Sequence, residues 1–290
     1  MTVYSIDHST RQRYLENVHR SRTEVRLQPL DSGTQRLLKM ELEVSPNAEI
    51  GSTLDYYGNP VAMVAVESPH REMVIACRSE VEVTRPHVDP VLNHPWDEDS
   101  LAFHPSAEFL APSPRVPRLR VTEKLNAELG VAVRDPDSLM AANRALREHF
   151  SYVPGATTVG TRLPEVLERR VGVCQDFAHV MLAVARQAGW PARYVSGYLL
   201  PTGDETVGES HAWVEVATPD GRWMGLDPTH AVAVADGHVR VAIGRDYDDV
   251  APIRGTFSGH LPGEPPEVTV RIRALELAGR EVPRYALVDQ

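Results

Sequence analysis

Residues 172–199 read GVCQDFAHVMLAVARQAGWPARYVSGYL and predict a helix followed directly by a strand. Four apolar residues recur at helical spacing and form one face of this helix: Phe177, Val180, Met181 and Val184. Gly189 and Pro191 end the helix, because glycine is favoured just after a helix and proline does not continue one. The residues after the proline, ARYVSGYLL, are typical of a strand.

Further helices and strands surround this unit. DPDSLMAANRALREHF (135–150) has apolar residues at helical spacing and begins with an Asp-Pro pair, a strong helix start. LPEVLERRVG (163–172) predicts a shorter helix. SHAWVEVA (210–217) and RWMGLDPT (222–229) predict two strands joined by a turn at TPDG. Helices followed by an antiparallel sheet indicate an α+β domain rather than a doubly wound one.

The first ninety residues show a different pattern. Apolar and polar residues alternate in four runs, at 22–30, 34–46, 60–68 and 72–84. Turn-forming residues separate the runs, and no amphipathic helix stands out. We therefore predict an N-terminal antiparallel β domain over residues 1–85, most simply a sandwich.

A proline-rich segment follows this region. Seven prolines lie between Pro86 and Pro117, a density that excludes regular strands and long helices. We predict that residues 86–117 form a connector packed on the surface, because their aromatic and leucine side chains need cover. Residues 118–290 then form the second domain, which finishes with an alternating strand at 267–277.

The composition limits the class of function. A chain of 290 residues buries a sizeable core without covalent cross-links. The net charge of −10 argues against a nucleic-acid partner. Two cysteines do not make a Cys-rich zinc site or a disulfide framework. The sequence contains no HExxH motif, phosphate-binding glycine loop, signal-peptide segment or apolar run of membrane length, so we expect a cytoplasmic protein without a membrane partner.

Cys174 lies at the start of the predicted helix that begins around Gln175. The positive end of the helix dipole and the unpaired backbone N–H groups there favour a thiolate and are placed to bind an oxyanion. The alternative is a small buried hydrophobic residue, a role that free cysteines often have. Cys77, within an alternating strand, fits that packing role.

His211 and Asp227 fall on corresponding faces of two neighbouring predicted strands. If these strands form a hairpin about Pro219, the two residues lie directly opposite each other, with Cβ atoms roughly 4.5–5.5 Å apart. A carboxylate in that place fixes the imidazole tautomer and stabilises the imidazolium. With Cys174, the pair then supplies a nucleophile, a base and an orienting carboxylate. A one-residue change of register would separate the pair.

Three blocks of the sequence together resemble the core of the transglutaminase-like superfamily, in its bacterial branch. GVCQDFAHVMLAVARQAGWPARYVSGYL, ESHAWVEV and GRWMGLDPTH occur in the family's order, with intervals of 37 residues from Cys174 to His211 and 16 from His211 to Asp227. YVPGATTVGT (152–161) and GRDYDDVAPIRG (244–255) resemble the same branch. The first eighty-odd residues resemble its β-rich N-terminal region, so the resemblance covers most of the chain.

The resemblance implies a papain-like fold from about residue 118 onward, with no metal and no organic cofactor. It assigns Cys174 as the nucleophile, His211 as the general base and acid, and Asp227 as the orienting carboxylate. The branch often has Asn at the position of His230, which is outside the triad.

Other roles near the nucleophile stay open at this stage. The candidates for a second oxyanion donor, each with packing or capping as the alternative, are Gln175, Tyr152 and Trp190. We expect Asp176 to complement the helix dipole, with positioning of the neighbouring loop as the alternative. His179 is on a different helical face from Cys174, so joint metal ligation is not expected.

We expect a thiol acyl-transfer enzyme that acts on a carboxamide or peptide bond of a peptide or protein through a thioester acyl-enzyme. Hydrolysis by an amidase or peptidase is favoured, since such activities are common among bacterial relatives. Transamidation of an amine acceptor is the alternative, because the triad is shared. A third reading is a non-catalytic peptide-binding module of the same fold. The resemblance also suggests an ATP-dependent ligase-like partner, and the oligomeric state stays open.

Overall fold

The computed structural model describes residues 1–84, 107–131, 135–200, 209–218, 222–258 and 265–275. The N-terminal part contributes six strands: β1 (Thr2–Val18), β2 (Ser21–Val25), β3 (Gln35–Ser45), β4 (Glu49–Leu54), β5 (Pro60–Val66) and β6 (His70–Val83). Neighbouring strands pair antiparallel, β1 with β6, β6 with β3, β2 with β5 and β5 with β4. They belong to two separate sheets. The predicted N-terminal antiparallel β region is thus confirmed.

Apolar side chains from both sheets meet in one buried cluster, as in a sandwich. Its members are Tyr14, Val18, Val25, Leu27, Val64, Val66, Met73, Ile75 and Cys77. In β6, burial alternates along the strand, so the residues that face the second sheet are the apolar half of the pattern. Cys77 is one of them, and burial raises the pKa of its thiol to about 12. It is a packing residue, and both cysteines are free.

Two strands from the end of the chain complete these sheets. β14 (Ile253–Phe257) pairs with β2, and β15 (Glu267–Leu275) pairs with β1. The sheet orders are therefore β15-β1-β6-β3 and β14-β2-β5-β4. The sequence placed residues 253–275 with the second domain, and this assignment needs correction. The alternation in β15 was recognised, but the strand that it pairs with is more than 250 residues earlier in the chain.

The second part of the chain is a layer of helices on a five-stranded antiparallel sheet. The helices are α1 (Arg120–Glu128), α2 (Pro136–His149), α3 (Leu163–Arg169), α4 (Cys174–Gln187) and the single turn α5 (Tyr247–Val250). The sheet strands are β9 (Ala192–Leu199), β10 (Glu209–Ala217), β11 (Trp223–Asp227), β12 (Val232–Ala233) and β13 (His238–Gly244), in the order β12-β11-β10-β9-β13. The α+β class is confirmed.

Helix α4 is the centre of this layer. Its side chains are buried from Gln175 to Arg186, and it packs against α1 and against strands β10 and β9. Alternation along β10 turns Ala212, Val214 and Val216 toward the helix and into the main core. The opposite face of β10 is thereby left for the polar side chains described below.

The two parts share a buried interface. Tyr4, Ile6, Val81, Val83, Val270 and Ile272 of the N-terminal sheet pack in one cluster with Tyr198, Val239 and Val241 of the other. Two amides reinforce the contact by bonding to the β13 backbone. Gln35 Nε2 donates to the Arg240 carbonyl at 2.7 Å, and Asn59 Nδ2 donates to the Ile243 carbonyl at 2.8 Å. These bonds hold the β13 edge of the second sheet against the sandwich.

Of the predicted connector 86–117, residues up to 106 lie outside the described part. The rest contains a short 3₁₀ helix (Ala107–Leu110) that packs on the protein. Phe109 is buried, and its ring meets the Trp223 ring edge-on at 5.6 Å. No described helix combines the length and the apolar composition needed to cross a lipid bilayer.

Candidate active site

Cys174 is the first residue of α4 and is half-buried. Two short strands, β7 (Ser151–Tyr152) and β8 (Val171–Gly172), pair in parallel directly before the helix and bring the segment after α2 beside it. The first N–H groups of a helix have no intrahelical acceptor, so the Cys174 backbone presents donors next to its own thiol. The predicted helix-start position of Cys174 is thus found, one residue earlier than expected.

Asp176 fixes this helix start. Its Oδ2 accepts a hydrogen bond from the Val173 N–H at 2.8 Å and another from the Thr157 hydroxyl at 2.6 Å. Burial raises the pKa of Asp176, against the effect of these two bonds. Gly172 leaves room for the carboxylate, since a Cβ there would lie 2.5 Å from the Asp176 Cβ. Asp176 therefore connects the segment around Thr157 to the helix that carries Cys174. This is the loop-positioning role given above as the alternative for Asp176.

His211 projects from β10 on the face away from α4. The β10–β11 register pairs Val214 with Leu226 and Glu215 with Gly225, so its continuation sets Trp213 opposite Asp227. The expectation that His211 lies directly opposite Asp227 was wrong by two residues. An offset of two keeps both side chains on one face, and they meet diagonally.

The imidazole and carboxylate are in direct contact, with His211 Nε2 2.8 Å from Asp227 Oδ2. Both side chains are almost fully buried, with exposures of 3% and 0%. Burial alone would lower the pKa of His211, but the Asp227 charge and hydrogen bond, helped by Cys174, raise it to about 10. Burial would raise the pKa of Asp227, yet the charge and hydrogen bond of His211 hold it well below its usual range.

Cys174 is the third residue of this arrangement, because its side chain hydrogen-bonds to His211. Since His211 Nε2 is engaged by Asp227, the ring nitrogen that remains for the thiol is Nδ1. The structure thus brings together Cys174, His211 and Asp227, the three residues singled out from the sequence. A proton can move between sulfur and imidazole while the carboxylate holds the ring.

Two further histidines contact the same carboxylate oxygen. His230 Nδ1 is 2.9 Å and His238 Nε2 is 3.1 Å from Asp227 Oδ2. The other oxygen, Oδ1, accepts the backbone N–H groups of Thr229 at 3.0 Å and His230 at 3.3 Å. Asp227 ends β11, and these two bonds form the turn that Pro228 begins.

Sequence reasoning missed the contribution of these two histidines. His230 was noted only as lying outside the triad, although its place three residues after Asp227 is within reach of a turn. His238 lies in β13, a strand that the sequence pattern did not reveal, so no local signal marked it.

The candidates for a second oxyanion donor separate clearly. Trp190 follows the far end of α4, about 20 Å from Cys174 at 1.5 Å per residue, and is excluded. Tyr152 pairs across β7–β8 with Gly172, which precedes Cys174 by two residues. Gln175 directly follows Cys174 in the helix. These two remain candidates.

Potential metal ligands are found at one place in the described residues. Ligand atoms of His211, Asp227 and His230 all lie within 4.8 Å of one another. His179, by contrast, is buried in the core, where its Nε2 accepts the Tyr247 N–H at 3.2 Å. Burial lowers the pKa of His179 to about 3. It anchors α5 and is not part of the site.

Comparisons with known proteins agree with this geometry. The family description "transglutaminase-like superfamily" matches residues 123–228, and "bacterial transglutaminase-like N-terminal region" matches residues 4–82. An uncharacterized protein of Mycobacterium leprae is 34% identical over 261 residues, covering 87% of this chain and 92% of its own. A protein-glutamine gamma-glutamyltransferase of Pseudomonas aeruginosa is 38% identical over 128 residues, 40% of this chain and 19% of its own.

A solved structure shares the whole architecture. The crystal structure of a candidate cysteine protease from Cytophaga hutchinsonii superposes with a TM-score of 0.74, covering 98% of this chain and 94% of that one. The sequence identity is 21%, so this likeness concerns the fold, which is papain-like. The chain belongs to the transglutaminase-like superfamily and carries the bacterial transglutaminase-like N-terminal region.

Proposed function

We propose that the protein is a thiol acyl-transfer enzyme that cleaves a carboxamide or peptide bond of a peptide or protein through a Cys174 thioester. The family is one of cysteine-dependent acyl-transfer and hydrolytic proteins. The observation that carries the proposal is the buried His211–Asp227 contact of 2.8 Å, together with the hydrogen bond from the Cys174 side chain to the same imidazole.

The chemistry follows from this arrangement. The imidazole takes the thiol proton, and the Cys174 sulfur attacks the substrate carbonyl carbon. The N–H groups at the start of α4 stabilise the oxyanion that forms. The imidazolium then gives its proton to the departing amine or ammonia, which leaves the acyl group on sulfur. A water or amine activated by His211 attacks the thioester and restores the thiol.

Trapping the acyl-enzyme tests this proposal. The protein is mixed with a library of glutamine-containing and other peptides, quenched with acid, and its intact mass is measured. We expect an added acyl mass on the peptide that contains Cys174, and none with Cys174→Ala. Cys77→Ser is the matched control and keeps the adduct, because Cys77 lies in the sandwich core. Absence of any Cys174 adduct with every library substrate would falsify the proposal.

The fate of the acyl group distinguishes hydrolysis from transamidation. We favour hydrolysis, and a relative named protein-glutamine gamma-glutamyltransferase supports the transamidation alternative. A labelled primary amine is added in excess while released ammonia and labelled product are measured. Hydrolysis predicts ammonia or a new amino terminus without amine incorporation, and transamidation predicts incorporation that rises with amine concentration.

A non-catalytic peptide-binding module is the remaining candidate. It would need neither the ion pair nor the thiol beside it, and burying a charged pair costs free energy. Equal peptide affinity in the wild type and in Cys174→Ala, with no covalent adduct in either, would favour this reading.

A further inference from the structure

Three side chains around the end of β11 form a set of metal-ligating groups, of which the proposed catalysis uses His211 and Asp227 but not His230. His211 Nε2 and His230 Nδ1 both lie within 2.9 Å of Asp227 Oδ2. Two imidazole nitrogens and one carboxylate oxygen are a common three-ligand set for zinc, with the fourth position open to water.

The spacing of these atoms suits a small divalent ion. Ligands about 2.0–2.2 Å from a tetrahedral zinc ion are roughly 3.3 Å from one another. The two nitrogen–oxygen distances of 2.8 Å and 2.9 Å therefore need to open by only a few tenths of an ångström.

The outer contacts of such a site are already in place. His238 Nδ1 accepts the Ala235 N–H at 3.2 Å, and its Nε2–H donates to Asp227 Oδ2 at 3.1 Å. Two backbone N–H groups hold Asp227 Oδ1. Hydrogen bonds of this kind orient a ligating carboxylate and are typical around bound zinc.

Access is through His230. Its side chain is 28% exposed, whereas those of His211 and Asp227 are almost completely covered. An ion from solvent thus meets His230 first and reaches the buried pair behind it.

We propose that His211, Asp227 and His230 bind a zinc-like divalent transition-metal ion, and that this ion reversibly inhibits the enzyme. Zinc on His211 Nε2 replaces the proton of that nitrogen, and the neutral ring then carries its proton on Nδ1. The metal-bound ring does not form the imidazolium that pairs with the Cys174 thiolate, and Asp227, itself a ligand, no longer orients the ring. Ion binding, in contrast to inhibition, does not rest on the proposed function.

Calorimetry with zinc chloride tests the binding step in a protein without the thiol. In Cys174→Ala, we expect one zinc ion to bind as in the wild type, because sulfur is not a ligand. The double variant Cys174→Ala/His230→Asn is expected to bind zinc at least about tenfold more weakly, since it lacks one ligand. Asn keeps a donor for Asp227, and an unchanged melting temperature without zinc shows that the variant folds. His19→Asn, at an exposed histidine of the N-terminal region, is the matched control and leaves the affinity unchanged.

The outcomes are separable. Loss of zinc binding in Cys174→Ala would make the thiol a ligand and overturn the proposal. Equal affinity in the double variant, or no binding to any form, overturns it as well. Cobalt supplies a check, because a site without sulfur gives d–d bands but no thiolate charge-transfer band. In the wild type, zinc slows iodoacetamide alkylation of Cys174, and the chelator EDTA restores it. Failure of this last step alone would leave the ion site standing and count against inhibition and the role of His211.

Discussion

Asp227 is the residue on which the site depends. A carboxylate with no exposed surface is costly to bury unless its oxygens are fully bonded. Here three imidazoles converge on Oδ2 and two backbone N–H groups on Oδ1. The charge is thereby kept in the folded protein, and it in turn holds His211 as an imidazolium beside Cys174.

Replacing Asp227 with Asn is expected to reduce acyl-enzyme formation by a factor on the order of 10²–10⁴, because the orienting charge is lost. The pKa of His211, now about 10, falls, since burial remains while the carboxylate that offsets it is gone. The proton therefore leaves the imidazole near neutral pH. The measurement is the rate of Cys174 alkylation by iodoacetamide, followed from about pH 5 to about pH 9.

In Asp227→Asn, we expect the alkylation rate to increase at a higher pH than it does in the wild type. The matched control is Asp236→Asn, the same charge change at a half-exposed residue nine positions along the chain. Its profile follows the wild type. Superimposed profiles for all three proteins would contradict the role assigned to Asp227.

At the residue scale, local pattern was sufficient to place Cys174 at a helix start and His211 and Asp227 on one face of two neighbouring strands. A helix start and strict alternation along a strand are readable from neighbouring residues. The pairing register of the two strands was not, because it depends on how the chain connects β10 to β11. The role of His238 depends on β13, which pairs with β9, and the residues around His238 do not reveal that pairing.

At the scale of elements, a side-chain hydrogen bond connects the start of α4 to the segment before it. Thr157→Val keeps the shape of the side chain but removes the hydroxyl that donates to Asp176 at 2.6 Å. Losing a bond to a charged acceptor costs about 1.5–3 kcal/mol, so the segment should open more often. We expect hydrogen exchange at the Ala156 and Thr161 amides, which bond within this segment, to accelerate by about tenfold or more.

The control is the neighbouring Thr158→Val. The Thr158 hydroxyl oxygen accepts the Gly160 N–H at 3.2 Å and is exposed, so its loss leaves the contact with α4 intact. Similar exchange rates in the two variants would show that the Thr157–Asp176 bond does not hold the segment.

The packing of β9, β10 and β13 depends on a glycine. Gly197 lies between His211 and Arg240 in the sheet, and a Cβ there would overlap the Val239 carbonyl oxygen and the Trp213 ring. Trp213 is fully buried beside His211, with ring centroids 6.2 Å apart. The glycine therefore makes room for the Trp213 ring, which packs against His211.

Gly197→Ala is expected to lower the free energy of unfolding by about 3 kcal/mol or more, because backbone and a buried ring must both shift. Urea unfolding measures this change. Gly51→Ala on the edge strand β4 is the control, since its Cβ would meet nothing nearer than the Met63 Cβ at 3.9 Å. Its cost should stay below about 1 kcal/mol, and equal costs would refute the steric argument.

Predicted elements matched the structure where the pattern was strong. α2, α4, β9 and β10 lie within one or two residues of their expected bounds. β1 was missed although its burial alternates, because polar residues occupy several of its buried positions: Thr2, His8 and Thr10. All six residues of β4 are exposed, so the strand has no alternation of buried and exposed positions to detect.

For the whole molecule, the unexpected feature is that the chain returns to its beginning. β14 and β15 close the two sheets that β1 to β6 begin, so the second part is inserted between strands of the first. Pairing between strands this far apart leaves no trace in local periodicity. The family resemblance conveyed the fold, but composition and alternation did not convey this connection.

A buried histidine at the interface makes the association of the two parts sensitive to acid. The Tyr198 hydroxyl of β9 lies 3.0 Å from His8 Nδ1 and the Thr10 hydroxyl lies 2.9 Å from His8 Nε2, so both ring nitrogens are hydrogen-bonded within the buried interface. Burial lowers the pKa of His8 from 6.5 to about 4. The unfolded chain therefore binds a proton that the folded protein does not between these values, and stability falls as the pH drops through that window.

His8→Gln removes the titration and keeps hydrogen-bonding groups for Tyr198 and Thr10. Between about pH 6.5 and about pH 4, we expect the wild type to lose about 3 kcal/mol of unfolding free energy relative to the variant, since one pKa unit corresponds to about 1.4 kcal/mol. His179, also buried with a lowered pKa, acts in the same direction in both proteins and cancels in the difference. His19→Gln, at an exposed histidine, is the control and follows the wild type. If the difference in unfolding free energy between the wild type and His8→Gln did not change with pH, protonation of His8 would not weaken the contact between β1 and β9. Any acid sensitivity of this interface would then come from other groups.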